Sequence, residues 1–88
     1  MLRLTRSSQP PDRVILLLEG QIVAQWVGLL EDECLRLLEA GQTVFLDLSG
    51  VSYLDRRAAR LLRELANRSV GLINCQPLVD ELVREDAV

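Results

Sequence analysis

Four segments of the chain have the hydrophobic pattern of β-strands. A strand covered on both faces is a continuous apolar run, whereas a half-exposed strand alternates apolar and polar residues. Residues 1–6 alternate and predict a short edge strand. Continuous apolar runs, one of them interrupted only by Asp47, predict three buried strands at 14–18, 44–48 and 70–73.

Turn signals separate the strands. Residues 7–12 contain two serines and two prolines and predict the turn of a hairpin between the first two strands. Gly20 is expected to end the second strand, and Ser49-Gly50 predicts a tight polar turn after the third.

Three segments have the periodicity of amphipathic helices. Residues 25–40 repeat apolar side chains every three or four positions, and Asp55 stands where the N-cap of a second helix would lie. Pro77 fits the first turn of a short third helix. The predicted core faces are Val27, Leu30, Cys34, Leu37 and Leu38 in the first helix, Ala58, Leu61, Leu62 and Leu65 in the second, and Leu78, Val79, Leu82 and Val83 in the third.

The order of these elements is β-β-α-β-α-β-α within 88 residues, which is enough for one small domain. Alternating strands and helices imply parallel strands with right-handed crossovers. We therefore predict an α/β domain over residues 1–88, with a four-stranded mixed, mostly parallel sheet and about three helices mainly on one face.

Composition narrows the classes of function. The net charge is −3 and all ten basic residues are arginines, so nucleic acid is not the expected partner. The chain has no histidine, which removes the commonest general base and metal ligand. The two cysteines, Cys34 and Cys75, form neither a disulfide framework nor a metal site, and we predict no metal and no cofactor. Neither a signal sequence nor a run long enough to cross a membrane is present, which indicates a cytoplasmic protein.

The segment Asp47-Leu48-Ser49-Gly50-Val51-Ser52-Tyr53-Leu54-Asp55 resembles the signature of STAS domains, the fold of bacterial anti-sigma factor antagonists. In that family the aspartate precedes two serines and a glycine, and a partner kinase phosphorylates the second serine. The matching positions here are Asp55, Arg56, Arg57 and Ala58, so arginine occupies the acceptor position and no phosphorylation site is expected there. Residues 20–23, Gly-Gln-Ile-Val, resemble the Gly-Glu-Leu-Asp turn of the family.

The resemblance implies a non-catalytic module that regulates another protein by binding it. The implied partner is an anti-sigma factor of the serine-kinase type, in the regulation of transcription. The alternative is the ATPase of an ABC-type lipid transporter, with this chain as a small cytoplasmic subunit. The predicted partner-binding residues are Gly20, Gln21, Ile22, Val23, Ser49, Ser52, Tyr53, Asp55, Arg56, Arg57 and Arg60.

Several interpretations stay open at this stage. Arg56 and Arg57 are either tolerated on a solvated turn, or dock together with Arg60 on an acidic partner surface, or capture an anion at a helix end. Arg56, Arg60, Arg63 and Arg68 allow a lower alternative, nucleic-acid binding. An enzyme is not expected, because no nucleophile–base pair or phosphate-binding loop is visible. The apolar fraction of 49% is compatible with a homodimer.

Overall fold

The computed structural model describes residues 1–85, which form four strands and three helices in the predicted order. The first two strands form a hairpin, and the remaining strands alternate with helices. The elements are β1 (Leu2–Gln9), β2 (Arg13–Ile22), α1 (Gln25–Glu39), β3 (Thr43–Leu54), α2 (Arg56–Asn67), β4 (Gly71–Ile73) and α3 (Pro77–Glu85).

The four strands form one mixed sheet in the order β1-β2-β3-β4. The strand β1 is antiparallel to β2, from Leu2 opposite Gly20 to Gln9 opposite Arg13. The strands β3 and β4 continue the sheet in parallel. The units β2-α1-β3 and β3-α2-β4 each move one strand along the sheet, in the same direction. Right-handed crossovers therefore place α1 and α2 on the same face of the sheet. The third helix, α3, packs beside α2. The predicted fold is therefore confirmed.

The core lies between the sheet and the helices. Alternate residues of the two central strands, including Val14, Leu16, Val44 and Leu46, are at most 1% exposed. The predicted stripes of α1 and α2 face them, except that Leu38 is half-buried rather than buried. Of the apolar residues predicted for α3, Val79 and Val83 are buried, but Leu78 is 59% exposed, so its assignment to the core was wrong.

Three predicted strand ends were wrong, each because backbone pairing continues past a residue that usually marks a turn. The strand β1 runs on through Ser7, Ser8 and Gln9, which pair with β2, and the turn is confined to residues 10–12. The strand β2 continues beyond Gly20 to Ile22, and β3 continues beyond Gly50 to Leu54. Ladder hydrogen bonds between long neighbouring strands outweigh local turn preference here.

The last strand also differs from the prediction. It comprises only Gly71–Ile73, at the edge of the sheet, and its residues are half-buried rather than buried. Val70, just before it, is 3% exposed and accounts for the apolar signal at the start of the segment.

Candidate functional site

The predicted site residues meet where the parallel strands β2 and β3 end side by side. Gly20 pairs with Val51, Gln21 with Tyr53, and Ile22 with Leu54. The hydroxyl of Ser52 donates a hydrogen bond to the carbonyl of Gly20 at 3.2 Å. Since α1 and α2 begin directly after these strands, residues 20–23 and 49–57 form one continuous edge, which we call the docking edge.

Two glycines allow the strands to reach this edge. Gly20 has φ +106°, and a Cβ there would overlap the carbonyl of Met1, whose oxygen accepts a hydrogen bond from the Gln21 amide at 3.0 Å. Gly50 lies at negative φ, and its role is close approach: a Cβ would lie 2.9 Å from the carbonyl oxygen of Leu18. Both glycines lie beside shifts in the pairing register of β2 and β3. They therefore allow local irregularities within strands that continue, and neither forms a tight turn.

Asp55 joins the two halves of the docking edge. It is the N-cap of α2, as predicted, and its Oδ1 accepts a hydrogen bond from the Ala58 amide at 2.8 Å. Its Oδ2 accepts a second bond from the amide of Ala24, at 3.1 Å. Ala24 precedes α1 and has φ 51°, a conformation that is costly for any residue with a side chain. A single carboxylate therefore fixes the starts of both helices.

A second carboxylate organises the β3 side of the same end of the sheet. The Ser49 amide donates to Oδ1 of Asp47 at 3.0 Å. This bond, followed by bonds from the side chains of Ser49 and Asn74, lowers the pKa of Asp47 below its usual value. The side chain of Gln76 donates to the carbonyl of Ser49. The segment after β4 is thereby tied to β3.

Sequence reasoning missed the strained conformation of Ala24 and the contacts of Asn74 and Gln76. Asn74 carried a usable signal, because asparagine is one of the few residues other than glycine that adopts positive φ, and here φ is 55°. Ala24 carried none, since alanine is rarely selected for the conformation that it has here.

The exposure of the predicted site residues decides which of them are accessible. Gln21, Ser49, Ser52, Arg56, Arg57 and Arg60 are exposed, and Tyr53 is 48% exposed. Gly20, Val23 and Asp55 are half-buried. Ile22 is fully buried in the core, so its side chain positions the docking edge and is not accessible from outside.

Two arginines dominate the charge of the docking edge. Arg56 and Arg57 are the first two residues of α2, and neither forms an ion pair with a side chain in the range 1–84. Arg57 also lines a shallow groove of about 140 Å³ between α1 and α2, together with Arg60, Glu31 and Glu64. Helix N-termini carry partial positive charge and disfavour cations by roughly 0.3–1 kcal/mol each. These arginines are thus placed at a local cost in stability.

Other chemistry finds little support in the described part of the chain. Among residues 1–85, no three potential metal ligands cluster, and no helix has the length and hydrophobicity needed to cross a membrane. Burial raises the pKa of the Cys34 thiol to about 12, with a smaller contribution from Glu33, so this cysteine is a core residue.

An α/β sheet with its helices on one face, and with an N-capping aspartate following its central parallel strand, is the architecture expected for the family that the Asp47–Asp55 segment resembles. The family model for the STAS domain matches residues 5–82. The chain therefore belongs to the STAS domain family.

Solved structures agree on the fold. The anti-sigma factor antagonist SpoIIAA in its unphosphorylated form matches with a TM-score of 0.74 and 16% identity, over 97% of this chain and 81% of that one. Two structures of Mglu match with TM-scores of 0.57 at 29% and 25% identity, over 74% of this chain. This chain spans only 17% and 21% of those Mglu chains. No curated protein sequence matches the chain.

Proposed function

We propose that this STAS domain is a non-catalytic regulatory module that binds another protein through the docking edge. The observation that carries the proposal is the single exposed surface on which residues 20–23 meet residues 49–57, held together by Asp55. Tyr53, 48% exposed, supplies an aromatic anchor of the kind enriched at interfaces.

The positive charge of the docking edge indicates which kind of partner surface it would bind. Arg56 and Arg57 face solvent without ion-pair partners among the side chains of residues 1–84, and guanidinium groups bind carboxylates through forked hydrogen bonds. A partner that presents acidic side chains would offset the unfavourable position of these arginines at a helix N-terminus. Glu31 and Glu64 beside Arg57 and Arg60 make the surface less suited to nucleic acid.

Regulation by serine phosphorylation is not part of this proposal. The position that a kinase modifies in the family carries Arg57, which has no hydroxyl group. Ser52 lies before the capping aspartate, and its hydroxyl is hydrogen-bonded to Gly20. The interaction is therefore set by the amounts of the two proteins. The family resemblance favours an anti-sigma factor as the partner, and the ATPase of a lipid transporter is the alternative.

The test combines identification of the partner with a charge reversal. Affinity purification from source cells and mass spectrometry would identify the partner, and calorimetry would then measure its binding to the purified domain. We expect the Arg56→Glu/Arg57→Glu variant to lose at least tenfold in affinity. Its melting temperature should not fall, since acidic residues are favourable in the first turn of a helix.

The matched control is Arg68→Glu, which makes the same type of charge change at the opposite, exposed end of α2. This variant should bind the partner like the wild type. Undiminished binding by Arg56→Glu/Arg57→Glu would contradict the proposed docking edge. Recovery of an anti-sigma factor or of a transporter ATPase would decide between the two partners.

A further inference from the structure

The face of the sheet opposite the helices carries an apolar surface. Side chains alternate between the two faces of a strand, so the neighbours of the buried Val14, Leu16 and Leu18 point away from the helices. The apolar residues on this open face are Ile15, Leu17, Phe45 and Ile73, all half-buried. The half-buried Asp47 lies on the same face, between Leu17 and Ile73 in the strand pairing.

Charges stand at the two ends of this open face. Along β2, Arg13 precedes Ile15 and Leu17, and Glu19 follows them. The guanidinium of Arg13 lies 5.3 Å from the centre of the Phe45 ring, which places it at the border of the apolar area. Glu19 approaches Arg3 of β1 at 4.0 Å, but the side chain of Arg3 is 76% exposed and that of Glu19 is 45% exposed, so water screens this pair and it contributes little.

We propose that a second copy of this chain packs its open face against the first, with a two-fold axis running across the strands between Ile15 and Leu17. Such an axis reverses the strand direction and keeps β2 opposite β2. Arg13 then lies opposite Glu19 of the second copy, and Ile15 lies opposite its Leu17. Phe45 exchanges with Asp47 in the same way, so the Asp47 carboxylate of each copy lies opposite the Phe45 ring that Arg13 of the other copy borders. The positive end at Arg13 then meets a negative side formed by Glu19 and Asp47. Ile15 and Leu17 lie between them, and this pattern is complementary to itself when inverted.

The edge strand of the face fits the same arrangement. The same axis places Gly71 of one copy opposite Ile73 of the other, so the large Ile73 side chain faces a residue that has no side chain. On β1, the open face presents the polar Thr5 and Ser7, which can form the rim of the interface. A partner with a uniformly charged surface would meet one attractive and one repulsive end, which favours a second copy.

The size of the surface sets the strength of the association. From Arg13 to Glu19 the face is about 20 Å long, and four strands are about 19 Å wide, which gives about 400 Å² for each copy. This is about half of the ~800 Å² per partner that stable complexes bury. The dimer is therefore reversible and depends on concentration. It leaves Arg56 and Arg57 accessible, because α2 lies on the other side of the sheet, and it does not depend on the proposed function.

Sedimentation velocity from micromolar to near-millimolar concentrations tests this proposal. The wild type should shift from monomer to dimer, and Leu17→Glu should stay monomeric over the whole range while its circular dichroism is unchanged. The control Leu29→Glu alters a side chain that is 51% exposed on α1, away from the open face, and should dimerise like the wild type.

A charge swap tests the two-fold arrangement itself. Arg13→Glu and Glu19→Arg should each raise the dissociation constant at least tenfold, because each places like charges opposite each other. An equimolar mixture of the two variants should dimerise again, since both contacts become attractive. A wild type that is monomeric at near-millimolar concentration, a Leu17→Glu variant that still dimerises, or a mixture no more associated than its components would overturn the proposal.

Discussion

The two strand-to-helix junctions of the parallel sheet, β2–α1 and β3–α2, reach the same edge by different means. The β3–α2 junction has its own cap, since Asp55 accepts a hydrogen bond from the amide of Ala58 three residues ahead. The β2–α1 junction has Ala24 at the equivalent position, with no side-chain cap and with φ 51°. Its amide bonds instead to the other oxygen of Asp55.

The difference shows that one junction depends on the other. The β3–α2 junction is specified by its own sequence, whereas the conformation of Ala24 is maintained by a contact 31 residues away. In the family that the chain resembles, the residues after this aspartate carry the phosphorylation site. A carboxylate that fixes both helix starts gives such a site, or here Arg56 and Arg57, a defined position relative to residues 20–23.

The largest expected effect comes from removing the shared carboxylate. Asp55→Ala loses an N-cap bond, worth about 1 kcal/mol, and a second bond of similar worth to Ala24. We expect the free energy of unfolding to fall by about 2 kcal/mol, which lowers the melting temperature by about 8–16 °C for a domain of this size. Thermal unfolding followed by circular dichroism measures this.

Asp55→Asn sharpens this prediction, because asparagine has a single side-chain oxygen, which can accept a hydrogen bond from the amide of Ala58 or of Ala24 but not from both. We expect it to lose about half as much stability as Asp55→Ala. The control Asp80→Ala removes an aspartate whose exposed i,i+4 pair with Arg84 is worth only about 0.3–0.5 kcal/mol. If Asp55→Ala costs no more than this control, Asp55 does not stabilise both junctions.

A smaller change, which raises rather than lowers the free energy of unfolding, is expected at the β2–α1 junction, where Ala24 is strained. Ala24→Gly removes a Cβ from a residue at φ 51°, where strain costs on the order of 1–3 kcal/mol. The greater entropy of glycine in the unfolded chain offsets roughly 0.5–1 kcal/mol of this gain. We therefore expect a net stabilisation of about 1 kcal/mol, visible as a rise in melting temperature.

Ala40→Gly is the matched control, because Ala40 is exposed, ends α1 and has φ −78°. It should lose a little stability, as glycine usually does at negative φ. Equal losses for Ala24→Gly and Ala40→Gly would mean that Ala24 is unstrained and that the two junctions differ less than the geometry indicates.

The same contrast explains how much could be predicted from the sequence. The β3–α2 unit is specified locally: an N-capping aspartate, an i, i+3, i+4 stripe through Leu62 and Leu65, and a preceding apolar run each have a known physical signature. The element order and the resemblance to STAS domains followed from such signals and were confirmed.

Features that depend on pairing between distant segments could not be predicted. Gly50 resembles a turn residue, and only the backbone of Leu18 beside it explains why a strand continues through it. Ile22 was assigned to the binding surface because β2 was expected to end at Gly20; since the strand continues to Ile22, this side chain follows the alternation of Val14, Leu16 and Leu18 into the core. The partner-binding role of the remaining site residues stays a prediction until a partner is measured.

The smallest effect concerns Asp47, the second carboxylate at this end of the sheet, and it appears as a dependence on pH. The Ser49 amide, and then the side chains of Ser49 and Asn74, lower the pKa of Asp47 in the folded state. The pKa in the unfolded chain is about 3.9. The stabilisation is therefore fully present above about pH 4 and is lost as the pH falls through the folded-state pKa.

Asp47→Asn should accordingly cost stability at pH 7, by less than about 1 kcal/mol because water screens the site, and should cost less in acid. Urea unfolding of the variant and the wild type at pH 7 and near pH 2 measures this difference. Asp12→Asn, at the exposed β1–β2 turn, shows how much any exposed carboxylate changes the acid dependence. A cost for Asp47→Asn that is equal at both pH values would mean that the charge of Asp47 does not stabilise the Ser49 backbone. Asp55 would then be the one carboxylate shown to organise this end of the sheet.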